Sequence, residues 1–215
     1  MRPASHAGGA PLEQRALDDL PRAARLLRAL DGALTRAAGR PLRYHVHGGF
    51  VRAALAGGAF SDVDVAAAAA PDLLALHAVS RRGLSVPDEA GAPVSLRLDV
   101  RRRVVATPEA LLADVDVVAW RAAFSSTDGC LHVDPGCLGA LADGLLTLRR
   151  GALGNPERTI ARTLKGAARG GRLPLADLER SVAAVRGTPS LTHWLRRGMR
   201  ALRHSSAYAA GGPTS

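Results

Sequence analysis

Asp62 and Asp64 stand one residue apart at the end of the stretch YHVHGGFVRAALAGGAFSDVDV, residues 44 to 65. In a strand, side chains at i and i+2 share a face, so the two carboxylates would project together while Val63 and Val65 turn to a core. Adjacent carboxylates repel unless protonated or bridged by a cation. Mg²⁺ takes oxygen ligands and substrate phosphates and is the natural bridge. Two-metal phosphoryl transfer usually needs a third carboxylate on a neighbouring element. Asp99 in LRLDV suits that role, because Leu96, Leu98 and Val100 would face the core and leave it on the other side. A lone carboxylate pair also flanks ordinary turns, so its surroundings matter. Gly48 and Gly49 permit close backbone approach and unusual dihedrals. The amides of the helix that follows could face a triphosphate, and Arg52, one turn in, could reach the same phosphates. A tight strand-to-helix turn and a surface salt bridge are the plain alternatives.

The flanking pattern supplies elements to hold these residues. Leucines at 20, 26, 27, 30 and 34 predict a helix over about 12 to 38, ended by Gly39 and Pro41. LRYHVHG and SDVDVAAA alternate as strands, FVRAALA suits a short helix closed by Gly57, and PDLLALHAVSRRG reads as helical. VSLRLDVRRRVV is a further strand candidate, and from PEALLADV onward the reading is mostly helical, with turns at STDG and DPG. Strands and helices in the first two-thirds, then helices alone, predict an α+β fold: a small mixed sheet with flanking helices, followed by a short helical extension.

Composition sets bounds. With 47% hydrophobic but only 3% aromatic residues, the core of this 215-residue chain must be built from Ala, Leu and Val. No apolar run is long enough to span a membrane. The N-terminus lacks the continuous apolar segment of a signal peptide, and Cys130 and Cys137 are too few for a four-cysteine zinc site, so a cytoplasmic location with reduced thiols is expected. Residues 145–215 hold 13 Arg plus Lys against Glu157, Asp177 and Glu179, which accounts for the whole net charge of +10. Such a segment attracts polyanions, with Arg158, Arg162, Lys165 and Arg169 as the candidate contacts; a solvated arginine-rich helix is the alternative. His45 and His47 form an H-x-H without an evident third ligand and are expected as core-edge or solvated histidines. Trp120 and Trp194 could stack on bases or fill a core.

HGGFVRAALAGGAFSDVDV resembles the GG-x-V-R-D-x-L-L-G … D-x-D signature of the poly(A) polymerase head domain, shared with the class II CCA-adding enzymes in the polymerase-β-like nucleotidyltransferase superfamily. Gly48, Gly49, Val51, Arg52, Leu55, Gly57, Asp62 and Asp64 carry the match. LRLDVRRRV, VDVVAWRAAFSSTDGCLHVDP and NPERTIARTLKGAARGG follow in the family's order, with Asp99, Asp116 and Asp134-Pro135 in register. Small residues with Gly and Pro mark a loose tail at 1–11 and a disordered tail at 205–215, and the resemblance implies a head domain at 12–150 and a basic neck-like extension at 151–204. It also implies transfer of a nucleoside monophosphate from a nucleoside triphosphate, ATP or CTP, to an RNA 3′-hydroxyl. Asp62 and Asp64 would hold Mg²⁺ (or Mn²⁺), Asp99 would be the third catalytic carboxylate, and Gly48, Gly49, Arg52 and Asp116 would bind the nucleotide. The chain departs from the pattern at Ala53, Val115 and Trp120, and it lacks the E-D-x-x-R element and the body and tail that grip tRNA, so specific CCA addition is not expected. Two further readings stay open: an inactive RNA- or nucleotide-binding module on the same fold, and a nucleotidyltransferase acting on a non-RNA acceptor.

Overall fold

The computed structural model describes residues 11–58, 60, 62–87, 91–113, 115–149 and 156–185. They form two compact units, one of residues 11–113 and 120–138, the other drawn from 115–119 and from 139 onward. The first unit carries all the strands: β1 (Glu13–Ala16), β2 (Tyr44–His47), β3 (Asp62–Ala67), β4 (Leu84–Pro87), β5 (Pro93–Val100), β6 (Ala122–Ser125) and β7 (Cys130–Val133). They make one mixed sheet in the order β1-β7-β6-β2-β3-β5-β4, in which only β3 and β5 run parallel. The α+β architecture expected from the sequence is the one observed.

Register divides the sheet into two chemically distinct faces. Tyr44, Val46, Val63, Val65, Leu98, Val100, Phe124 and Leu131 pair along one face, and all are buried. Each such side chain contributes roughly 1.5–3 kcal/mol by leaving water. Helix α1 (Pro21–Ala38) covers this face, burying Leu26, Leu27, Leu30 and Leu34, and the Tyr44 hydroxyl donates to Asp31 across 2.7 Å. Helix α3 (Ala70–Arg82) makes the crossover that parallel pairing requires, and Ser80 on it donates to the Leu98 carbonyl at 2.9 Å. The other face carries His45, His47, Asp62, Asp64, Arg97, Asp99, Ser125 and His132. Helix α4 (Pro108–Leu112), N-capped by Thr107, lies at its β6–β7 end, where Glu109 comes within 4.0 Å of His132.

The structure corrects two expectations. The helix placed over about 12 to 38 begins at Pro21, whose fixed φ suits a first helical position, while Glu13–Ala16 pair with β7 as an edge strand. The region after PEALLADV carries helices α5 (Cys137–Ala142), α6 (Pro156–Ala167) and α7 (Leu175–Val185) as expected, but it opens with strands the helical reading left out: β6 and β7 form a hairpin across the STDG turn, in largely buried strands of four residues. Strand β5 stops at Val100, so RRRVV lies beyond it. The proposed tails and the segment from 186 onward, with Trp194, fall outside the described residues. No helix among the described residues is long and apolar enough to cross a membrane.

His45 is 1% exposed, and burial holds its pKa below the ordinary histidine value. His132 also opposes its protonation, while the Ala106 backbone, Asp128 and Glu109 favour it without cancelling the effect of burial. The folded state thus takes up this proton less readily than the unfolded chain. Its contribution is intact above the unfolded histidine pKa of about 6.5 and is lost as pH falls below it. Thermal unfolding should show a melting temperature that drops between pH 7 and pH 5, with a smaller drop in His45→Gln.

Candidate active site

Strand β2 runs out at His47, and Gly48 turns the chain into helix α2 (Gly49–Ala56) with φ +79° and ψ −142°. Side chains do not fit that region of backbone space, which is why glycine occupies it. The constraint is steric as well. A Cβ built on Gly48 would overlap Asp64 Oδ2, so the carboxylate of β3 lies directly over the turn. Gly49, the first residue of α2, has open space where a Cβ would stand. The Arg52 amide donates to the Gly48 carbonyl at 3.2 Å and closes the first helical turn. The Arg52 guanidinium carbon sits 5.4 Å from the ring centroid of Trp120, at cation–π distance.

The carboxylates share the polar face. Asp64 lies opposite His47 on β2 and opposite Asp99 on β5, and Asp62 lies opposite Arg97. Val63 and Val65, which alternate with them, are fully buried, whereas Asp62 and Asp64 are part-exposed and Asp99 is exposed. Arg97 Nη2 stands 3.8 Å from Asp62 Oδ2, a solvent-exposed pair of little energetic weight. Among the described residues no three His, Cys, Asp or Glu side chains gather into a metal-binding group. Mg²⁺ does not require one, because it is commonly held by one or two carboxylates and takes its remaining ligands from phosphates and water. An all-oxygen, solvent-accessible pair of donors, with one carboxylate packed over a glycine turn that has no side chain, fits such an ion. His45 and His47, by contrast, are buried at 1% and 7% exposure.

The other candidate residues belong to the second unit. Asp116 is buried, its side chain accepts from the Thr159 hydroxyl, and its carbonyl accepts from the Arg149 amide at 2.8 Å. Arg158, Arg162 and Lys165 lie along helix α6 (Pro156–Ala167), and Arg169 follows in the next turn. Spacings of four, three and four residues put them on one stripe, while Thr159, Ile160 and Thr163 are buried on another side of the helix. Sequence reasoning did not find the cation–π contact of Arg52 with Trp120 or the pairing of Asp62 with Arg97. Only the second had a signal, since Arg97 precedes Asp99 by one strand period.

No family model and no curated protein matches this sequence. Among solved structures the chain is similar to the Thermotoga maritima CCA-adding enzyme complexed with tRNA, with TM-score 0.54 and 19% identity over 91% of this chain and 54% of that one. It is likewise similar to CCA-adding enzyme structures with CTP and with ATP, each at TM-score 0.54 and 20% identity over the same shares of the two chains. The chain thus spans about half the length of these proteins. At this identity the likeness is one of fold alone.

Gly48→Ala should cost roughly 1–3 kcal/mol from its backbone conformation alone. Displacement of the Asp64 carboxylate should add to that cost. In an Asp64→Ala background the second part should vanish, so denaturant unfolding of the four proteins in the cycle should show a smaller penalty there.

Proposed function

We propose that this chain is a metal-dependent nucleotidyltransferase that moves a nucleoside monophosphate from a nucleoside triphosphate to an acceptor, with an RNA 3′-hydroxyl as the leading candidate; the acceptor oxygen bonds to the α-phosphorus as the α–β phosphoanhydride bond breaks and pyrophosphate leaves. One observation carries the reading: Asp62, Asp64 and Asp99 line one hydrated strip of the sheet, and Asp64 closes over the Gly48 turn. In this scheme Asp62 and Asp64 hold Mg²⁺ or Mn²⁺. Bound there, a divalent cation supplies charge neutralisation for the phosphates and acidifies an attacking hydroxyl. Gly48 and Gly49 let the triphosphate approach the first amides of α2, and Arg52 binds it as a bidentate donor. Asp99 accepts the proton of the acceptor hydroxyl at its carboxylate. The nucleotides bound by the similar structures, CTP and ATP, are the first candidates.

RNA as acceptor draws support from the basic stripe of Arg158, Arg162, Lys165 and Arg169, and from the tRNA bound by one similar structure. The same stripe favours a second reading, an RNA-binding module that has lost transfer. Asp116 is part of the proposed nucleotide site only through the family resemblance; here its carboxylate is buried against Thr159.

Protein incubated with each labelled nucleoside triphosphate, Mg²⁺ or Mn²⁺ and cellular RNA should pass label to the acceptor. Asp62→Asn/Asp64→Asn should lower that by roughly 100-fold or more while leaving the fold intact. Label in a non-RNA species would redirect the acceptor, and no transfer by folded protein would sink the enzymatic reading.

RNA affinity should fall steeply with salt. Arg158→Gln and Lys165→Gln should each reduce the slope of log K against log salt by about 0.7, as expected for one phosphate contact on a single strand. A slope unchanged in both variants would remove the stripe from the interface.

A further inference from the structure

The indole of Trp120 closes a short 3-10 turn, Val118–Trp120, immediately before β6 and is half-buried. Arg52 reaches it from α2, with its guanidinium carbon 5.4 Å from the ring centroid. The two residues are brought together by the fold, and the contact lies one helical turn from the Gly48–Gly49 turn that Asp64 overhangs. A guanidinium has a flat face and an N–H edge. Stacking on an aromatic ring uses the face, and bidentate phosphate binding uses the edge, so one arginine can do both. A flexible arginine has roughly 2 kcal/mol of rotamer entropy to lose on gripping a ligand. A stacked one has lost part of it beforehand.

We propose that Trp120 is a positioning residue for a triphosphate: it fixes the plane of the Arg52 guanidinium so that its N–H edge presents to phosphate oxygens at the Gly48–Gly49 turn. The inference rests on the nucleotide site proposed above and assigns it a part that the family resemblance does not supply, since Trp120 is one of the chain's departures from that pattern. The ligand it serves is the polyphosphate rather than the base, because the indole face meets a cation. Trp120 thereby tunes triphosphate affinity and not base preference.

The test uses the full chain with Mg²⁺ and three probes: ATP, CTP and inorganic tripolyphosphate. Titration calorimetry should show Trp120→Ala weakening all three by about five- to thirtyfold, the range of a partly desolvated cation–π contact. Trp120→Phe should restore most of that affinity. Trp120→Leu, which keeps apolar bulk without a ring quadrupole, should not, and this separates ring electrostatics from simple packing. In an Arg52→Ala background the effect of Trp120→Ala should disappear. If transfer is detected, the KM for the triphosphate should rise in Trp120→Ala with kcat nearly unchanged.

Binding to wild-type protein that is equal in Trp120→Leu, or a Trp120→Ala loss that persists in full without Arg52, would overturn this inference and leave the nucleotide site standing. A loss confined to one nucleotide and absent for tripolyphosphate would overturn it too, in favour of base stacking. Wild-type protein that binds none of the three probes would overturn the nucleotide site and this inference together. Binding without transfer would remove only the enzymatic reading.

Discussion

The alternation within β3 governs the rest of the structure. Val63 and Val65 point into a core where neither is exposed, and Asp62 and Asp64 point the opposite way. A slip of one residue against either neighbour would push two carboxylates into the apolar layer. The charged group would then have to neutralise or find a partner at a cost of several kcal/mol, while two valines were exposed. Register is therefore fixed by chemistry rather than by backbone pairing alone. The same register sets His47 on one side of Asp64 and Asp99 on the other. The Asp99 side depends on the crossover, since parallel strands cannot be joined by a tight turn. Helix α3 makes that connection and packs on both strands it joins.

The polar face is not uniform along the sheet. Toward β6 and β7 it is desolvated: His45 is almost fully buried, and His132 sits between Asp128, at 2.8 Å, and Glu109 on α4. Toward β3 and β5 it is open to water, and there the carboxylates lie. A hydrated rim suits groups that must stay ionised, and a covered one suits a neutral imidazole such as His45. Burial lowers the His45 pKa in the covered region. Gly48 stands where the central strand gives way to α2. Its φ of +79° brings the helix start and the Asp64 carboxylate together without a side chain between them.

Much of this was legible in the sequence, for physical reasons that also explain what was not. Strands β2, β3 and β5 alternate, α2 is bracketed by glycines, and α3 carries Pro71 in its first turn, so local pattern and tertiary role agree. The carboxylate strip followed from parity alone. Strand β1 failed because EQRA at a sheet edge needs no apolar alternation. Strands β6 and β7 failed because both faces are covered, and a run such as VVAWRAAF then has no period of two to display. The Arg52–Trp120 contact joins elements far apart in the chain, and no spacing rule reaches across that distance.

Under the proposed function, the electrostatics of the strip matter more to a ligand than to the fold. Three carboxylates on one face repel one another, and Arg97 offsets little of that, since its side chain is 76% exposed and 3.8 Å from Asp62. Burying the strip under protein would deepen the penalty, and leaving it open keeps the penalty small because water screens it. Under the proposed function, a cation that binds the folded chain and not the unfolded one would add stability by mass action. In that scheme exposed Arg97 would yield its place, and Asp64, packed against the Gly48 turn, would be the donor with least freedom to lose. Affinity at the strip would then depend on how rigidly the turn holds Asp64, which would tie the strength of the site back to the register of β3.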